Sequence, residues 1–291
     1  MLIITYATHI DGYMSILIKQ CEELNLNLVI LGMNKKWEGF FQRTLDYYDY
    51  LNSLEDDNDI CVFIDGFDTL VMENENTILD KYKSFNKPIV WGVDLSRNLF
   101  GKLFFGSEDI LINGGSYMGR IAEIKELFGI IIENYGNDKK LDDQKIINEF
   151  YLKNKNYFDK KISLDMNSII FANANNKSLI YYILDNDTIN IINLITFNKI
   201  LDSVDNLLDY HYDENSGKII CNNTKISPSF ISGPGCISFD YLIKKLGYDF
   251  ENTRCKDYWN NMVIYNEIKN NLIMVSLFMV IIFLIIILNK K

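Results

Sequence analysis

Apolar and polar positions follow two different periods along the first half of the chain. Residues 2–6 form a short apolar run that reads as a strand, and residues 26–31, 60–64 and 89–93 repeat that pattern. Between them, residues 13–24 carry Ile16, Leu17, Cys21 and Leu24 at helical spacing. Residues 38–54 carry Phe41, Leu45, Tyr48 and Leu51 on one stripe. Residues 111–119 read as a glycine-rich connection between a strand and a helix over 121–134. Strands alternating with helices predict an α/β fold, a mostly parallel sheet with helices on both faces and ligands beyond the carboxyl ends of its strands. Beyond Leu141 the pattern loosens. A helix is read over 142–152, strand-like pieces at 162–164, 168–171, 218–221 and 229–231, and a small helix at 240–246. The Asn-rich stretch 173–212 yields no assignment.

The last apolar run differs from the others. Residues 272–288 are apolar except for Ser276, and Lys290 and Lys291 follow. At the helical rise this run covers about 26 Å, near the lower limit for a membrane span. The alternative, a buried core helix, needs a full protein shell around an all-round apolar surface. The expected layout is a domain over 1–250, a polar stalk over 251–271 and a C-terminal transmembrane helix over 272–288. The start of the chain lacks the basic stretch and long apolar core of a signal peptide. The domain is therefore expected on the cytosolic face of a membrane, or associated with a virion, with the Asn-x-Ser/Thr triplets at Asn176, Asn186 and Asn222 unmodified.

Composition narrows the function. With 29 Lys and Arg against 39 Asp and Glu, the 291-residue chain has a formal net charge of -10, which argues against a nucleic-acid partner. The five cysteines are scattered and contain no Cys-x-x-Cys pair, so neither a disulfide framework nor a structural zinc site is indicated. Candidate chemistry begins at the end of the 60–64 strand, where Asp65 and Asp68 stand three apart around Gly66. Two acids there suit a divalent cation through hard oxygen ligands, and a solvated turn is the plainer alternative. Asp142 and Asp143 open a helix, where capping is the plainer role.

Several segments in a fixed order add to this. Thr5-Tyr6-Ala7-Thr8 precedes Asp11-Gly12-Tyr13, and Leu31-Gly32 and Trp37-Glu38-Gly39 follow. Then come Asp65-Gly66-Phe67-Asp68, Asn113-Gly114-Gly115-Ser116-Tyr117-Met118-Gly119, Asp142-Asp143-Gln144 and Ser232-Gly233-Pro234-Gly235. Together, over roughly residues 1–250, they resemble the glycosyltransferase domain of the procollagen lysyl hydroxylases, the procollagen galactosyl- and glucosyltransferase family, with its viral relatives.

The resemblance implies a GT-A-type (Rossmann-like) mixed sheet flanked by helices, a UDP-sugar donor and a manganese or other divalent cation. It implies transfer of glucose or galactose, with retention, to a hydroxyl acceptor such as a hydroxylysine-linked one on protein or glycan. Carried over, Asp65 and Asp68 are the cation-binding acids, and Thr5, Ala7 and Thr8 belong to the nucleotide shelf. Trp37 is the aromatic near the uridine; a core aromatic is its plainer reading. Asn113, Gly114 and Gly115 belong to the sugar pocket, Asp142 and Asp143 face donor sugar and acceptor, and Gln144 and Gly233 accompany them.

Three features depart from the family. Ser232 stands where the family has a cation-binding His, the glycine-rich stretch after Trp37 is shortened to Phe40-Phe41-Gln42-Arg43, and Arg97-Asn98 stand where a Trp-Pro pair is expected. A binding protein of the same fold without turnover is the competing class, and a sugar-nucleotide nucleotidyltransferase a third.

Overall fold

A computed structural model describes residues 1–94, 111–174, 210–234 and 239–250. All of these fall in one compact unit. Strands β1 (Leu2–Tyr6), β2 (Asn27–Leu31) and β3 (Ile60–Asp65) run parallel, with β1 in the middle. Helix α1 (Met14–Glu23) connects β1 to β2, and α2 (Phe40–Asn52) connects β2 to β3. After the short strand β4 (Thr69–Val71), helix α3 (Glu75–Ser84) leads to β5 (Ile89–Asp94) and, further along, β6 (Leu111–Arg120). Helices α4 (Ile121–Tyr135), α5 (Asp143–Lys153) and α6 (Lys155–Lys161) follow, then β7 (Ile162–Asp165) and β8 (Phe171–Asn173). The remaining described elements are β9 (Tyr210–Asp213), β10 (Lys218–Cys221), β11 (Phe230–Ser232) and α7 (Asp240–Lys245).

The main sheet has the order β2-β1-β3-β6-β5-β7. The parallel expectation holds on each side of β6, which runs antiparallel to both β3 and β5. The stretch 111–119, expected to be a connection, is therefore itself a central strand. The glycines mark a bulge within it, not a turn. Trp91 pairs with Tyr117 and Val93 with Ile112, so Gly92 alone stands opposite Asn113 through Ser116. The pairing of β6 with β3 also stops at Phe63 and Tyr117. The sheet thus opens beside Ile64 and Asp65, at the edge where β1, β2 and β3 end.

Strand alternation divides the apolar side chains between two cores. Ile4, Phe63, Trp91 and Tyr117 face α2, α4, α5 and α6, whereas Ile3, Val62, Val90 and Met118 face α1 and α3. A second sheet, β4-β11-β8, pairs β11 antiparallel to β4 and parallel to β8. Cys21, Cys61 and Cys221 are buried free thiols. Among the described residues no helix is long and apolar enough to cross a membrane. The stalk and the apolar run 272–288, Arg97, Asn98, Gly235, Asn176 and Asn186 lie outside the described residues.

Candidate functional site

The carboxyl ends of β1, β2 and β3 meet in register: Tyr6 stands beside Leu31 on one side and Asp65 on the other. Directly after β3, the turn Gly66-Phe67 carries the chain to Asp68. The loop after β1 crosses this turn, and the Tyr13 amide donates to the Phe67 carbonyl at 2.7 Å. Gly12 lies against the same carbonyl with φ +56°, a backbone region and a spacing that leave no room for a side chain. Thr5 is fully buried and its hydroxyl donates to the Ile64 carbonyl at 2.8 Å, so it supports the turn from below. Ala7 is likewise buried, and the Thr8 hydroxyl is 2.9 Å from His9 Nδ1.

Asp65 leans over the bulge in β6. A Cβ on Gly115 would collide with both of its carboxylate oxygens, so the acid occupies the space that a larger residue would fill. On the other side of that bulge, α5 is docked by amide bonds. The Gly114 amide donates to Gln144 Oε1 at 3.1 Å, and Asn148 exchanges two bonds with the backbone of Ile112, each 2.9 Å. Asn113 is buried at 6% exposure, with Oδ1 accepting from the Gly115 amide at 2.6 Å. These contacts place the start of α5 next to the end of β3.

The two acids that open α5 separate by role. Asp142 is exposed and caps the helix, its Oδ1 accepting from the Lys145 amide at 3.0 Å. Asp143 points inward at 8% exposure, and its Oδ2 accepts from Arg43 Nε. The same guanidinium donates from Nη1 to Asp65 Oδ1. One cation from α2 therefore bridges the acid at the end of β3 and the acid at the start of α5. Burial works against the charge on Arg43, but the carboxylates of Asp143 and Asp65 outweigh it and hold the guanidinium protonated well above its ordinary value. Burial likewise raises the Asp143 carboxyl, opposed by Arg43. Arg43 lies in the shortened stretch after Trp37, and no motif in the sequence marks it as a partner of these acids.

Trp37 is 42% exposed, which removes the core-aromatic alternative. Its ring meets Phe40 edge-on at 5.4 Å and is tilted against Tyr6 at 5.8 Å. On the far side of Asp68, the Gly233 amide donates to the Asp68 carbonyl at 2.8 Å. Among the predicted residues, Asp65 and Asp143 share one partner, Asn113, Gly114, Gly115 and Gln144 share the bulge, and Gly233 adjoins Asp68. Beneath Asp143 a cavity of about 20 Å³ lies between Phe41, Trp91 and Tyr117, room for one water and far too little for a nucleotide.

The PLOD GT domain family matches residues 1–201, most of the chain. The chain belongs to that glycosyltransferase family. A multifunctional procollagen lysine hydroxylase and glycosyltransferase of Caenorhabditis elegans is 23% identical over 193 residues, 60% of this chain. The match covers 26% of that relative, so the chain spans about a quarter of its length. Among solved structures, a glycosyltransferase involved in glycosylation of the major capsid of PBCV-1 overlaps 59% of this chain and 84% of its own, at 12% identity and a TM-score of 0.41. A Francisella tularensis 2-C-methyl-D-erythritol 4-phosphate cytidylyltransferase overlaps 56% and 88%, at 10% identity and a TM-score of 0.33. Overlaps this loose bear on neither activity nor substrate.

For a PLOD GT domain, the fit of the implied cation depends on the acids at the end of β3. Arg43 engages Asp65 through Oδ1, and Asp68 is half-buried three residues on. Ser232, which stands where the resemblance implies a His, is 4% exposed, and its hydroxyl lies 2.7 Å from that of Thr69. Among the described residues no three or more His, Cys, Asp and Glu side chains are grouped to hold a metal ion. Asp65 and Asp68 carry carboxylate oxygens, the hard donors that such a cation takes.

Proposed function

We propose that this unit is a cation-assisted, retaining glycosyltransferase of GT-A type, which moves glucose or galactose from a UDP-sugar to a hydroxyl acceptor on protein or glycan. The observation that carries this reading is the meeting of Asp65 and Asp143, from distant segments, on one guanidinium at the open carboxyl edge of the sheet. Asp65 and Asp68 would hold the divalent cation, manganese or another, whose chemistry is to neutralise charge on a departing diphosphate. Exposed Trp37 offers a flat face to a base. Asp143 offers a buried negative charge to a sugar carbon that becomes positive in the transition state. Asp142 holds the helix that carries it.

The engagement of Ser232 with Thr69 favours one second reading, a sugar-nucleotide-binding protein with impaired turnover. Release of UDP from UDP-glucose and UDP-galactose, measured with manganese and with chelator, separates the two. Manganese-dependent release, abolished in Asp65→Ala and Asp68→Ala, is the expected result. UDP-sugar binding without release favours the second reading, and no binding refutes both. We also propose that residues 272–288 form a membrane span, with the transferase unit on the cytosolic side.

A further inference from the structure

We propose that Arg43 is the positioning residue of the transfer site, setting Asp65 and Asp143 relative to each other. This rests on the glycosyltransferase reading above. The Arg43 side chain is 13% exposed and bonds Asp143 through Nε and Asp65 through Nη1. Among the described residues, no other side chain bonds both acids. A planar guanidinium presents these N–H groups at a fixed angle, so both carboxylates are oriented by one rigid group.

The helix that supplies the guanidinium is itself fixed. Near the start of α2 the Phe41 amide donates to the Leu141 carbonyl at 3.0 Å, just before the acids that open α5. Further along, Phe41, Thr44, Tyr47 and Leu51 are buried under the sheet. Docking of α2 is thereby converted into a set geometry between the acid at the cation edge and the acid facing the sugar. Asp143, nearly enclosed, also gains the partner that a buried carboxylate requires. An ammonium at this position keeps the charge but lacks the fork that spans both acids. Loss of the fork misplaces reacting groups without removing the surface that holds the nucleotide, so turnover falls further than donor affinity.

The test uses the full chain in detergent, with Arg43→Lys and Arg43→Ala. Arg43→Lys is expected to lower kcat by about 100-fold. Its KM for the UDP-sugar and its calorimetric dissociation constant for UDP should stay within about threefold of wild type. Added guanidinium should restore part of the turnover of Arg43→Ala, whereas sodium at equal ionic strength should not. Wild-type kcat in Arg43→Lys, no response of Arg43→Ala to guanidinium, or losses of UDP affinity equal to the losses of kcat would each overturn the assignment. A wild-type chain that neither binds nor turns over UDP-sugars would instead overturn the functional reading on which it rests.

Discussion

Gly115 matters to the site because it has no side chain. The nearest atoms to a Cβ built there are the two carboxylate oxygens and the carboxyl carbon of Asp65. Gly115→Ala must therefore push Asp65 away from its bond with Arg43. The expected outcome is a fall of about 100-fold in manganese-dependent UDP release. The accompanying loss of stability should be about 1–3 kcal/mol, read by urea denaturation. Undiminished release would mean that Asp65 can move without harm to the chemistry. Single residues also show how far the sequence can be read. Asp65, Asp68, Asp142 and Asp143 stand out because they follow a strand or open a helix, positions visible in local pattern. Arg43 does not, because its partners lie 22 and 100 residues away and its own surroundings show one polar position on an amphipathic helix.

At the level of elements, the start of α5 combines an acid that caps the helix and an acid turned inward onto Arg43. Asp142→Ala removes the cap and is expected to cost about 1 kcal/mol of stability, with the smaller effect on turnover. Asp143→Asn keeps the shape but removes the charge opposite Arg43, and is expected to lower kcat by about 100-fold. A melting curve and a kcat measurement on both variants check the division, and equal effects on kcat would remove it. Elements with a clear apolar period, such as β1, α1, β3 and α4, were readable from sequence within a residue or two of their observed ends. The middle strand β6 was not, because Gly114 and Gly115 resemble a turn until the docking of α5 on the bulge is known. Helix α3 also escaped reading: Ile78 and Tyr82 are its buried residues, too few for a stripe. It is fixed by tertiary contact, with Lys81 Nζ 2.5 Å from buried Glu73 and 2.6 Å from the Ser227 carbonyl.

At the scale of the molecule, the proposed anchor and the transferase unit make separable claims. A chain stopped before residue 272 is expected to leave the membrane pellet while keeping UDP release, because every described site residue lies before that point. Fractionation after alkaline extraction reads the outcome, and a truncated chain that stays in the pellet would remove the anchor assignment. The net charge of -10 disfavours a long anionic polymer as partner, because the surface would repel its many phosphates.

The pairing of β4 with β11 has a consequence for the order in which the protein is made. Thr69 and Ser232 are 163 positions apart, yet their hydroxyls touch, and the Gly233 amide binds the carbonyl of Asp68. On the ribosome, the Asp68 turn leaves the exit tunnel long before the strand that braces it has been translated. Any polypeptide stopped at residue 201, where the family match ends, contains all four acids of the site but not the strand that supports Asp68. Contacts this distant in sequence are closed late, after the entropy of the intervening loop has been overcome. The backbone bond that braces Asp68 thus cannot form until residue 233 has been made.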